Sequence, residues 1–164
     1  MTSRVINVRR VSLISSKPFD SVIAALEAAL RRPNLGEFMK HIAQSKSFGE
    51  MRQMIESAVG KFGLMEFIRF DLGAVLAKAG GPGAPRSVRF LAGNPLVMES
   101  MVKHTPDAGS YAPVTLLIDE RPDGVHLSYD EMASFLEPYG NAEALQVARA
   151  LDAKVKGLLS EVAN

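Results

Sequence analysis

The spacing of apolar residues predicts both strands and helices, and their order along the chain indicates a mixed fold. Residues 3–14 alternate over most of their length, which is typical of a strand. From Phe19 to Leu30 apolar residues recur at intervals of three and four, which predicts a helix that ends at Pro33. Residues 63–71 are apolar on both faces, so we expect this strand at a central position in a sheet.

Residues 33–61 carry two further helical patterns, each with a polar residue suited to cap its first turn. Asn34 and Ser47 precede the two apolar stripes, and Glu37 and Glu50 follow three positions later. We interpret the segment as an inserted helical pair. Such a pair is expected to act as a lid or a dimer interface, or else to thicken one face of the domain.

The second half of the chain predicts another helix, a hairpin and a long C-terminal helix. Asn94 suits a helix cap and Pro95 suits the first helical position, which predicts a helix over residues 93–104. Residues 114–120 and 125–129 flank a Pro-Asp-Gly turn and predict an antiparallel hairpin. Asp130 is expected to cap a short helix, and Asn141 to open the last one.

This order of elements predicts an α+β fold with a largely antiparallel sheet packed against helices. The chain has 164 residues, and we expect one domain over residues 1–164. With 19 Lys or Arg and 18 Asp or Glu, its formal net charge is +1. That balance argues against nucleic-acid binding, which needs a basic excess or stripe.

The chain contains no cysteine and no apolar run long enough for a membrane span. Its first residues also do not resemble a secretory signal. The lack of cysteine fits a reducing compartment, so we expect a cytoplasmic protein with no membrane partner.

No metal, cofactor or catalytic constellation is expected. The absence of cysteine removes thiolate metal sites and cysteine nucleophiles. His41, His104 and His126 share no metal-ligand spacing with one another, and no Gly-x-Ser-x-Gly nucleophile motif occurs. We therefore assign a catalytic role to no residue.

Three candidates for a ligand site lie in the helix that begins at Asn94. A helix N-terminus presents free N–H groups that suit an anion, and Asn94 serves equally well as a plain cap. Met98 and Met101 have helical spacing, which fits either an adaptable apolar binding surface or ordinary core.

Three further candidates are acid–base groups. Asp71 lies on a strand with Glu66 and Arg69, an arrangement that fits a structural ion pair or an anion or acid–base site. His104, near the end of the helix at 93–104, and Tyr129, in the hairpin, are the other two. Sequence spacing places none of these groups next to another.

The order of several short motifs resembles a known family. Residues 89–95 resemble its strand-to-helix Gly-Asn-Pro signature, and residues 111–120 resemble its proline-led strand. Residues 123–129, followed by Phe135 and Leu136, resemble its Asp-Gly hairpin and short helix, and residues 70–74 its strand ending in Asp. On these motifs, over about residues 3–32 and 62–162, the chain resembles the bacterial and archaeal domain of unknown function 302.

The resemblance implies a compact α+β fold and a tendency to form homodimers, and it implies no reaction. Members often carry His after the strand-end Asp, and here Leu72 occupies that position. Two functional hypotheses follow. The first is a homodimeric, non-enzymatic binding or regulatory module with an apolar pocket for a small apolar or anionic ligand. The second is a small enzyme that uses Asp71, Tyr129 or His104 beside an anion at Asn94.

Overall fold

The computed structural model describes residues 3–81 and 83–164, which form five strands and seven α-helices. Two 3₁₀ turns, Pro106–Ser110 and Glu137–Tyr139, complete the secondary structure of this part of the chain. In chain order the elements are β1 (Arg10–Ser15), α1 (Phe19–Ala29), α2 (Leu35–Gln44), α3 (Phe48–Ala58), β2 (Met65–Asp71), α4 (Leu72–Gly80), β3 (Ser87–Gly93), α5 (Pro95–Val102), β4 (Val114–Arg121), β5 (Gly124–Asp130), α6 (Met132–Leu136) and α7 (Ala142–Ala163).

The five strands form one sheet in the order β1-β5-β4-β3-β2, and every neighbouring pair is antiparallel. The α+β class is therefore confirmed. α1 and α7 pack against each other and cover one face of the sheet, where they bury Phe90, Leu116 and Leu127 completely. Burial of such side chains supplies most of the free energy that holds helices on a sheet.

The opposite face of the sheet is more open. Cross-strand pairing places Ser12, Ser128, Leu117, Arg89 and Phe70 in one row across this face. α4 follows β2 directly and is itself largely exposed. Apolar side chains therefore remain at the surface here: Ile14, Ile68, Phe70, Leu72, Val75 and Leu76.

Two of the strand predictions were wrong. β1 begins at Arg10 rather than at residue 3, because its partner β5 ends at Asp130, opposite Arg10, and leaves residues 3–9 without a strand to pair with. β2 is an edge strand rather than a central one, since only β3 pairs along its length. Its apolar outer residues Ile68 and Phe70 are exposed instead of covered.

Most helix starts agree with the sequence, with one exception. Asn34, Ser47, Asn94 and Asn141 each accept a hydrogen bond from a first-turn N–H of their helix. Asp130 does not cap α6, because its carboxylate accepts two hydrogen bonds from Arg10 at 2.7 and 2.8 Å.

The segment at 33–61 forms the expected helical pair and packs on a small cluster of its own. Phe38 of α2 and Ile55 of α3 bury Met65 of β2 in this cluster, apart from the main core. The end of the segment lies against the residues that precede its start. Gly60 packs so closely there that a Cβ would lie 2.1 Å from the carbonyl oxygen of Ala29. Arg31 also donates to the carbonyl oxygen of Ser57 at 2.6 Å.

Candidate functional site

An apolar groove lies beside the end of the sheet from which α5 leaves β3. It encloses about 400 Å³, near the lower end of the range for small-molecule sites. α5 forms one wall, α2 and α3 form another, and the chain before β4 forms the floor together with β2 and Leu151 of α7. The lining residues are Met39, Ile42, Met51, Phe67, Gly93, Asn94, Pro95, Val97, Met98, Glu99, Met101, Ala112, Pro113, Val114 and Leu151.

An irregularity in β2 and a missing side chain in β3 shape the floor of this groove. The pairing of β2 with β3 shifts between Glu66 and Ile68, so that Phe67 lies in a bulge and lines the groove. A Cβ on Gly93 would lie 3.4 Å from Phe67 Cε2 and 3.6 Å from Pro113 Cβ. Gly93 therefore leaves space that most other side chains would fill.

The polar groups of the groove are already engaged. Asn94 Oδ1 accepts from the backbone N–H of Leu96 at 2.9 Å, and its Nδ2 donates to the carbonyl oxygen of Gly63 at 2.9 Å. Glu99 lies 3.6 Å from Lys103 Nζ. Because Pro95 has no N–H and Asn94 satisfies that of Leu96, the first turn of α5 offers little to an anion.

Methionines form much of the groove wall. Four of the eight in the chain line it: Met39, Met51, Met98 and Met101. Met101 is fully buried, whereas Met39 and Met98 are exposed at the rim. Unbranched, polarisable thioether side chains adapt their rotamers to different ligand shapes at little cost. Three of the six predicted site residues, Asn94, Met98 and Met101, thus meet at this groove.

The other three candidates lie elsewhere. Asp71 caps α4, accepts from Ala74 N at 2.9 Å and pairs with Val88 at the far end of β3. Asn94 lies six positions after Val88 along the chain, a distance of about 20 Å at ~3.3 Å per residue. His104 is exposed in the turn after α5.

Tyr129 is buried beneath α7 as part of a polar cluster in the core. Its hydroxyl donates to Asp152 Oδ1 at 2.6 Å. The same carboxylate accepts from the backbone N–H groups of Met132 at 2.7 Å and Ala133 at 3.0 Å. Burial raises the pKa of the Tyr129 hydroxyl, and the charge of Asp152 raises it further. Asp152 therefore caps α6 from another helix, and Tyr129 orients it.

The arginine on β2 belongs to an ion-pair network rather than to a site with Asp71. Arg69 donates to both oxygens of the buried Glu66 carboxylate at 2.7 and 2.6 Å, and also to Glu27 of α1. Its guanidinium carbon lies 4.9 Å from the ring centroid of Phe90. The hydrogen bonds with Glu66 hold the pKa of Arg69 above its ordinary value. This network ties β2 to α1.

Sequence reasoning missed most of the groove wall and the role of Asp152. Met39, Ile42 and Met51 lie on stripes that equally predict helix packing, and no local pattern shows that they face α5. Asp152 did carry a signal, since it lies on the stripe of Ala148 and Val155, where a carboxylate needs a buried partner.

The described residues contain neither a membrane-spanning helix nor a metal-binding cluster. No helix there is both long and apolar enough to cross a membrane. Nor do three side chains from His, Cys, Asp and Glu come together there in a way that could hold a metal ion.

The fold and the groove together define a small α+β domain with an apolar cavity at one end of an antiparallel sheet. The chain belongs to the family named domain of unknown function DUF302, whose family model matches residues 39–162. The resemblance seen in the sequence is thereby confirmed. The match also includes residues 39–61, most of the segment interpreted as an insertion.

A crystal structure of an uncharacterized conserved DUF302 protein from Bacillus stearothermophilus has a similar fold. The TM-score is 0.65, and the alignment covers 94% of this chain and 98% of that chain at 12% identity. At this identity the likeness extends to the fold alone. No curated protein matches the chain.

Proposed function

We propose that this protein is a non-enzymatic binding module that holds a small, mainly apolar ligand in the groove between α5 and the α2–α3 pair. The observation that carries the proposal is the composition of the groove wall. Apart from Asn94 and Glu99 its side chains are apolar, and both the oxygen and the nitrogen of the Asn94 amide are hydrogen-bonded within the protein. An apolar body would displace water that has few hydrogen-bond partners there.

The alternative of an acid–base enzyme has less support. Its candidate groups do not converge: Asp71 caps α4, Tyr129 is buried with Asp152, and His104 is exposed after α5. An acid or base has to reach a substrate atom within hydrogen-bond distance. In the described residues the groove has Glu99 as its one ionisable wall group, and Glu99 is paired with Lys103.

The methionines provide a direct test with 1-octanol as the probe. In protein labelled with ¹³C at the methionine methyls, octanol should shift the signals of Met39, Met51, Met98 and Met101. The signal of Met132, which is buried at the start of α6, serves as the internal reference. Shifts absent from the groove methionines, or equal at Met132, would contradict the proposal.

A pair of substitutions at one position supplies the matched control. Met98→Trp places an indole at the rim of the groove and should abolish octanol binding. Met98→Leu conserves volume and should leave the affinity within about twofold of wild type, since such exchanges disturb packing little. Binding by the tryptophan variant with wild-type affinity would show that octanol occupies another place.

We also propose that the open face of the sheet pairs with a second copy of this chain. The face exposes Ile68 and Phe70 together with Val75 of the adjoining α4. It carries both signs of charge, at Arg89 and Asp119, so that two copies related by a two-fold axis can pair opposite charges. The net charge of +1 opposes such pairing very little.

We also propose a cytoplasmic location, because the lack of cysteine favours a reducing compartment.

Sedimentation equilibrium tests this pairing. Phe70 is 43% exposed and Leu35, on α2, is 36% exposed. Phe70→Glu should convert a dimer into a monomer, and Leu35→Glu should leave the dimer intact. A wild-type protein that stays monomeric at high micromolar concentration would refute the pairing. A dimer that survives Phe70→Glu would place the interface elsewhere.

A further inference from the structure

A second depression lies across α5 from the groove. It encloses about 350 Å³ between α3, α5 and α7. Val97, Glu99 and Leu151 line both depressions, so the two lie side by side and share a wall of α5 and α7. The second depression differs from the groove in chemistry, because Arg52 and Lys154 line it from opposite helices.

The charges around this depression leave an excess of positive charge. Arg52 Nη1 lies 3.9 Å from Glu56 Oε1, a long contact between two exposed side chains that contributes little. Glu99 is offset by Lys103. Lys154 has no ion-pair partner within residues 3–81 and 83–164. An anion placed here would find two cationic side chains, with Glu99 as the one carboxylate in the lining and Glu56 as a distant competitor for Arg52.

We infer that the groove and the second depression form one site for an anionic amphiphile. The apolar body occupies the groove beside Met98 and Met101, and the negatively charged head lies in the second depression between Arg52 and Lys154. The inference rests on the proposed function and names the ligand class. Charge recognition takes place at these two side chains and not at the N-terminus of α5. There Pro95 has no N–H, and the N–H of Leu96 is already bonded to Asn94.

The head group needs negative charge and hydrogen-bond acceptors. A carboxylate, a phosphate monoester and a sulfate all share this chemistry, since Arg donates in a fork and Lys as a point charge. Because both side chains are largely solvated, selection for the head should be modest and should weaken with salt. Glu99 would instead favour a ligand with a cationic head. The experiment therefore has to distinguish an anionic from a cationic head group.

The test compares three probes with the same eight-carbon chain: octanoate, 1-octanol and octylammonium. Binding is measured through the methionine methyl signals at low and at high salt. We expect octanoate to bind the wild-type protein about threefold more tightly than octanol, and octylammonium more weakly than both. High salt should remove the difference between octanoate and octanol.

Charge-neutralising variants locate the head. Lys154→Gln and Arg52→Gln should each reduce the preference for octanoate over octanol without changing the affinity for octanol. Lys78→Gln makes the same change of charge on α4, away from both depressions, and should have no effect. Isothermal calorimetry provides an independent measure of the same affinities.

Three other outcomes would contradict the inference. Equal affinity for all three probes would overturn the inference and leave the proposed apolar binding intact. A preference for octylammonium that Glu99→Gln abolishes would also overturn it, because Glu99 would then select the head. If no probe shifts any groove methionine, the proposed function and this inference are both wrong.

Discussion

Asn94 uses both ends of its amide, one to cap α5 and the other to bond a distant segment. One end satisfies the N–H of Leu96, and the other holds the carbonyl oxygen of Gly63 in the turn before β2. The residue therefore joins the start of α5 to the start of a strand about 30 positions earlier. Its second hydrogen bond is a tertiary contact that no local sequence pattern contains.

Asn94→Ala should reduce the free energy of unfolding by about 1–2 kcal/mol, because it removes a cap and a second hydrogen bond. Asn141→Ala is the matched control, since Asn141 caps α7 through Ala144 N at 2.8 Å. That variant should lose about 1 kcal/mol from the cap alone. Urea denaturation measures both, and an equal loss in the two variants would assign no energy to the Gly63 contact.

The buried Tyr129 hydroxyl predicts a loss of stability in alkali. Its pKa is raised by burial and by Asp152, whereas an unfolded tyrosine ionises near pH ~10. The folded state therefore keeps a proton that the unfolded state loses. The stabilisation is complete below pH ~10 and falls as the pH rises, by at most about 1.4 kcal/mol per pH unit.

Urea denaturation between pH ~9 and ~11 should show this decline, with a shallower slope in Tyr129→Phe. Tyr111 contributes in the same direction, because its hydrogen bond with Tyr139 raises its pKa to about 12. Tyr111→Phe is therefore the comparison variant. A slope unchanged by Tyr129→Phe would mean that Tyr129 ionises normally in the folded protein.

At the scale of elements, α2 and α3 stand apart from the main core and close one side of the groove. Phe38 and Ile55 pack on Met65 in their own cluster, and Met39, Ile42 and Met51 line the groove. The two ends of the segment meet where Gly60 contacts Ala29. These contacts make the pair a wall of the proposed site, and we predict that the sheet, α1 and α7 fold without it.

Replacing residues 34–61 with a short Gly-Ser linker should leave the sheet and its two covering helices folded and remove octanol binding. Stability should fall, because Met65 loses its cover. Circular dichroism and methyl NMR of Met132, which lies in the main core, report whether the remainder is native. A deletion protein that fails to fold would show that the pair belongs to the core.

At the scale of the whole molecule, titratable groups are spread over the fold and largely paired with one another. His41 lies on α2, His104 follows α5, and His126 on β5 lies 2.8 Å from Asp123. The carboxylates of Glu66 and Glu131 accept from arginine and lysine side chains. Such a distribution stabilises the packing of elements and leaves few groups for metal binding.

Metal removal should therefore have no effect on this protein. Dialysis against EDTA is expected to leave the melting temperature unchanged, and elemental analysis should find no stoichiometric zinc or iron. The physical reason is that transition metals need three or four N, S or O ligands converging on one point. A drop in melting temperature that added zinc reverses would contradict this prediction.

Features that depend on neighbours along the chain could be predicted from the residues alone. Helix starts at Asn34, Ser47, Asn94 and Asn141 are local, because the capping side chain and the N–H that it satisfies are two or three residues apart. The hairpin around Gly124 and the α+β class follow from the same short-range rules.

Features that depend on contacts between distant segments could not be predicted in this way. The apolar pattern of β2 indicated a central strand, but strand pairing placed it at the edge. Asp152 became the cap of α6 because α7 folds over Tyr129. The groove forms where α5, the α2–α3 pair and the start of β4 meet. Periodicity shows which face of an element is apolar, but the partner of that face is set by packing of the whole chain.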